Sequence, residues 1–132
     1  MMAADCPELD RFTRGEVDAR DFPHHEHVRM AFEMLRCHDF AESVLHFSHT
    51  LRDMAARAGR PQAFNQTITV AFLAVIAARM QAAGDADFAG FAAVNPDLFD
   101  RALLARWYRP EQLASPLARG SFVLPDPQLE RA

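Results

Sequence analysis

Lysine does not occur in this chain: all fourteen basic residues are arginine. That excludes a lysine Schiff base, a phosphate-loop lysine and any lysine nucleophile. Cysteine is nearly as scarce. Cys6 and Cys37 form neither a C-x-x-C pair nor a disulfide framework, so a reducing cytoplasm is the natural compartment. There is no G-x-S-x-G, no glycine-rich phosphate loop, and no nucleophile motif around either thiol. The net charge of −4 comes without a basic stripe, which argues against a nucleic-acid partner. Residues 1–10 carry acids and no apolar run, so no secretory leader is expected. Tryptophan and tyrosine occur once each, and eleven phenylalanines supply the rest of the aromatic content.

What is present suffices for one domain. The chain has 132 residues, half of them hydrophobic, enough for a single sizeable core. One stretch organises the rest, residues 64–80. At roughly 100° per residue its apolar side chains cover nearly the whole helical circumference. A helix apolar on all sides is a buried one. The run falls short of the ~20 apolar residues of a membrane span. Residues 62–83 are therefore the expected central helix of the domain.

The other segments read as helices that wrap it. Residues 1–20 mix acids and arginines with isolated apolar points at Leu9, Phe12 and Val17, the pattern of an irregular or partly helical arm ahead of a helical domain over 21–132. Asp21 is placed to cap a helix over 22–36, with Pro23 in its first turn. Val28, Ala31, Phe32, Leu35 and His24 share its apolar face, opposite Glu26, Arg29 and Glu33. Asp39 caps a second helix, 40–58, with an apolar stripe through Val44, Phe47, Leu51 and Met54. Gly59 and Pro61 stop it. The central helix ends at Gly84, and Asp85 caps a shorter one through Phe88, Phe91 and Val94. Asn95 and Pro96 open a helix carrying Leu98, Phe99, Leu103, Leu104 and Trp107. A short helix over 111–119 and an extended tail over 121–132 complete the chain. No segment has a convincing period of two. The expected fold is all-α: an antiparallel bundle of five or six helices around a buried central helix, with an extended C-terminal tail.

Six histidines occur, and four of them make two H-x-x-H pairs, His24 with His27 and His46 with His49. Residues three apart share a helical face, so either pair could offer two imidazoles to one metal ion. His46 and His49 fall opposite the apolar stripe of their helix, on its solvated side. His24 falls on the core face of its helix with His27 flanking it, and a buried imidazole needs a polar partner. That partner can be a backbone carbonyl, which makes the pair structural, or a ligand, which makes His24 and His27 catalytic or metal-binding. Consecutive antiparallel hairpins would bring the start of the first long helix level with the start of the central one. Asn65, Thr67 and Thr69 are then neighbours of the two histidines, at the end of a bundle where small-molecule and metal sites are built. The stretch Arg106–Trp107–Tyr108–Arg109 is a second candidate. It suits an anion or a planar ligand, and it equally suits a helix end anchored by Trp107. Tyr108 joins the candidate ligand-binding set.

These motifs resemble those of a small bacterial family of uncharacterised all-helical proteins. That family pairs an F-x-H-x-x-H-V helix with an aromatic–His–x–T–[IL]–T helix, an N-P-D-L boundary, an R-Y-Y-type helix end and an L-x-S-x-x-A-R-x-x-F-V-x-P-D tail. Here the matching residues are Phe22 to Val28, Phe64 to Thr69, Asn95 to Leu98, Arg106 to Tyr108, and Leu113 to Asp126, nearly all of 22–126. The resemblance implies a register for the motifs and no reaction. It also exposes a departure: Asn65 stands where the family pattern has histidine, so a three-histidine metal site is incomplete here.

The expected function is a cytoplasmic helical-bundle protein whose histidine-containing polar pocket binds a small molecule or a divalent transition metal, with or without acid–base catalysis by His24 or His27. The alternative is a non-catalytic interaction or oligomerisation module in which the histidines are structural. Neither nucleic acid nor a membrane is an expected partner, and a homo-oligomer is compatible with both readings.

Overall fold

Short polar side chains start four of the helices, each by accepting a backbone N–H that the first helical turn leaves without a partner. A computed structural model describes residues 6–126. Helix α1 spans Pro7–Thr13, α2 His24–Cys37 and α3 Phe40–Arg57. They are followed by α4 over Gln66–Ala83, α5 over Phe88–Val94, α6 over Pro110–Leu113 and α7 over Pro116–Gly120. Asp39 Oδ1 accepts from the Glu42 amide at 2.8 Å to start α3, and Asn65 Oδ1 accepts from the Ile68 amide at 3.0 Å to start α4. Gly84 ends α4 with φ at +73°, a conformation that a side chain would strain. No strand occurs among the described residues, so the fold is all-α, as expected. The expectations for residues 1–5 and for tail residues 127–132 lie outside the described residues.

The core lies where α1, α2, α3, α4 and α5 meet. Phe12, Val28, Met34, Leu73, Ile76, Phe91 and Leu98 are fully enclosed there. Helix α1 packs on α2 and α3 through Leu9 and Phe12, and Phe12 stacks on Phe22 with ring centroids 4.9 Å apart. Helix α4 packs against α2, α3 and α7.

Several boundaries differ from the sequence reading. Asp21 does not cap α2; it closes a 3₁₀ turn, Ala19–Asp21, and Pro23 is the residue ahead of the helix. Residues 22 and 23 stay outside the helix, Phe22 reaches the core and the Pro23 carbonyl accepts from Glu26 and His27. Asp87, not Asp85, caps α5. The stretch through Leu98 and Trp107 is not one helix but two 3₁₀ turns, Pro96–Phe99 and Leu103–Arg106. In an α-helix the Leu98 carbonyl would accept from the Ala102 amide. Here that amide goes to Asp100 Oδ1 at 2.9 Å, while the Leu98 carbonyl accepts from His24 Nε2 at 3.0 Å.

Helix α4 is also less wrapped than its apolar circumference suggests. Thr67, Thr69, Ala71, Leu73 and Ile76 are buried, whereas Ile68, Ala74 and Ala78 are exposed. Alanine makes this tolerable, because a methyl group exposes little apolar area. At 18 residues and a mean hydropathy of 1.3, α4 passes a length-and-composition test for a membrane span, a test that the core helices of many folds pass too. Its Arg79 is held within the fold by a two-pronged contact to Asp97, at 2.8 and 2.9 Å, and by Asn95 Oδ1 at 2.8 Å. Arg106 adds a second cation to Asp97 at 3.0 Å. The Asp97 carboxyl is accordingly held well below the usual carboxylate range, chiefly by its hydrogen bonds from Arg79.

After α7 the chain runs without regular structure over residues 121–126 and is held by side chains. Buried Thr67 donates to the Ser121 carbonyl at 2.6 Å and accepts from the Val123 amide at 3.1 Å. Tyr108 donates to the Val123 carbonyl at 2.8 Å. Thr67→Val keeps the side-chain shape but leaves both tail groups without this partner. The expected loss is about 2 kcal/mol, read from urea unfolding, with faster amide exchange at Val123. An unchanged exchange rate at Val123 would show that the tail is held by other contacts.

Candidate functional site

The first turn of α2 puts His24 and His27 on one side of the helix, facing the start of α4. Beside them lies a cavity of about 700 Å³, bounded by α2, α3, the beginning of α4 and the segment from Arg101 to Leu113. Its wall is mainly apolar, with Phe22, Leu51, Met54, Phe64, Phe72 and Leu104 supplying most of the bulk. His24, His27, Asn65, Thr69 and Tyr108 also line it, so five of the six residues singled out from sequence meet at one cavity. The sixth, Thr67, does not line it, because its hydroxyl is turned to the tail.

The polar groups differ in what they leave open. His24 Nε2 carries its hydrogen, since its partner is the Leu98 carbonyl; in the neutral ring Nδ1 is then an acceptor. The ring meets Phe72 edge-on at 5.2 Å and lies 6.3 Å from the His27 ring. His27 rests on Phe22 at 4.4 Å. Burial pushes the His27 imidazole down to about 4, the charges of His24 and Arg101 push the same way, and a hydrogen bond to the Phe22 backbone opposes them. Near neutral pH this ring is an uncharged hydrogen-bonding group. The Asn65 amide is committed to the fold at both ends: Oδ1 caps α4, and Nδ2 donates to the Leu113 carbonyl at 2.8 Å. Thr69 donates to the Asn65 carbonyl at 2.8 Å and can still accept. Tyr108 presents its ring, its hydroxyl being given to Val123, and burial pushes the phenol up.

The residues present do not fit a metal ion. Among the described residues no three His, Cys, Asp or Glu side chains converge on one point. His24 and His27 would need a third firm ligand, and the Asn65 amide oxygen is already engaged in capping α4 while its nitrogen donates to Leu113. His46 and His49 are exposed, as their position opposite the apolar stripe suggested. The Arg106–Arg109 stretch is likewise taken up internally, Arg106 pairing with Asp97 and Arg109 with Asp126, while Trp107 packs on the core.

Two charged lining residues escaped the sequence reading of the site, Arg60 and Arg101. Arg60 follows the glycine that ends α3, and Arg101 lies between the two 3₁₀ turns. Neither belongs to a helical face, so no periodicity marks them. No family model, curated protein or solved structure matches this chain.

Proposed function

We propose that this chain is a cytoplasmic binding protein for a small organic molecule, held in the cavity beside His24 and His27. The observation that carries this reading is the cavity itself. Its volume of about 700 Å³ lies within the ~300–1,000 Å³ of small-molecule sites, and its mainly apolar wall carries a few polar groups. Binding is favoured over acid–base catalysis. A ring pushed down to about 4 is a weak base at neutral pH, and the Nε2–H of His24 is already given to Leu98.

The neutral dye N-phenyl-1-naphthylamine tests the reading. Wild type is expected to bind it saturably, one per chain, with a rise in fluorescence. Ala55→Trp places an indole in the cavity and should weaken binding at least about tenfold, or ~1.4 kcal/mol, with unchanged circular dichroism. Absence of saturable binding, or equal binding by Ala55→Trp, would overturn it. The alternative, an interaction module with structural histidines, has the His24–Leu98 contact and the exposed Leu117, Phe122 and Leu124 in its favour. It predicts self-association that Ala55→Trp leaves unchanged.

A further inference from the structure

The charged groups at the cavity are all of one sign. No aspartate or glutamate lines it, although the chain as a whole carries a net charge of −4. The two charged lining residues are Arg60 and Arg101. Arginines elsewhere are largely committed: Arg79 and Arg106 to Asp97, Arg57 to Asp53, Arg109 to Asp126. The guanidinium groups of Arg60 and Arg101 make neither an ion pair nor a hydrogen bond among the described residues. Both residues are solvent-exposed members of the lining, and a guanidinium without a carboxylate partner at the edge of an apolar cavity is suited to one brought by a ligand, in the paired N–H···O geometry that arginine favours.

We propose that the ligand is a monocarboxylate with an apolar body, its head group held at Arg101 beside His27 and its body laid against Phe22, Leu51, Phe64 and Phe72. This rests on the small-molecule reading above and names the ligand class. Arg101 and His27 line the same cavity, and the charge of Arg101 is felt at the His27 ring. The uncharged His27 imidazole adds no further charge beside the head group. Arg60, also in the lining, strengthens the preference for an anion over a cation.

The test compares decanoate, decanol and decylammonium, each below its micelle concentration, as displacers of N-phenyl-1-naphthylamine from the full chain. Wild type should prefer decanoate over decanol by about tenfold or more and take decylammonium least. Arg101→Gln should remove most of the decanoate preference, with dye and decanol affinities unchanged, which shows that the cavity is intact. Arg60→Gln should move the preference in the same direction by less. Dye binding with equal affinity for decanoate and decanol, or an Arg101→Gln variant that keeps the preference, overturns this inference alone. Failure of dye and decanoate both to bind removes the small-molecule reading and this inference with it.

Discussion

Phe12→Ala is expected to lower the stability of the chain by about 3–5 kcal/mol, the usual range for emptying a phenylalanine site in a core. The ring is fully enclosed, stacked on Phe22 at 4.9 Å with 15° between the planes, and tilted against Phe47 at 5.3 Å. It joins three pieces of chain: α1, the residues ahead of α2, and the middle of α3. Truncation leaves a void that those three backbones cannot close without breaking other contacts. A domain of this size has about 5–15 kcal/mol in total, so the loss is a large share. The effect should also reach the cavity, because Phe22 is both the partner of Phe12 and the ring on which His27 rests. Urea unfolding measures the first effect, and dye affinity of the still-folded variant measures the second. A loss below about 1 kcal/mol would mean that α1 contributes little to the core, against its burial.

Acidification supplies the second large effect. The native His27 imidazole sits at about 4, below the ~6.5 of an unfolded chain, so the unfolded state binds its proton more readily. Its contribution to stability is therefore complete above about pH 6.5 and is lost as pH falls toward 4. The full loss is on the order of 3 kcal/mol. His27→Gln, which cannot take up the proton, should flatten the stability curve between pH 6.5 and 4. Asp97 acts in a separate window. Its carboxyl is held low by Arg79, so its contribution is present above the unfolded value of about 3.9 and is lost only below it. Parallel curves for wild type and His27→Gln would contradict the burial of the imidazole. The titration of the His27 ring protons by NMR is an independent check.

The candidate site was partly legible because its histidines obey helix geometry. His24 and His27 are three apart and flank an apolar face, and that relation holds wherever the helix is placed. The neighbourhood of Asn65 and Thr69 followed from short connections between successive helices. What each polar group does there was not legible. Asn65 reads as a ligand until its two amide ends are seen to meet Ile68 and Leu113, and Thr67 reads the same way until the tail is in place. Arg60 and Arg101 carry no mark in the sequence that separates them from arginines paired on the surface. Their distinction is a place in the lining of a cavity that no aspartate or glutamate lines, a property of the assembled chain.

The sequence by itself determined the all-α class, the spans of α3 and α4 to within a few residues, and the paired histidines on α2. Those features depend on interactions that close within about four residues, such as the cap by Asp39 and the positive φ of Gly84. Tertiary structure alone decided that the Leu98 carbonyl goes to His24, 74 residues away in sequence, breaking the expected helix into two 3₁₀ turns. It also decided which side of α4 stays exposed and which arginines face the cavity. Each of these is set by competition for the same partner or the same space between segments distant in sequence, and a local pattern carries no record of its outcome.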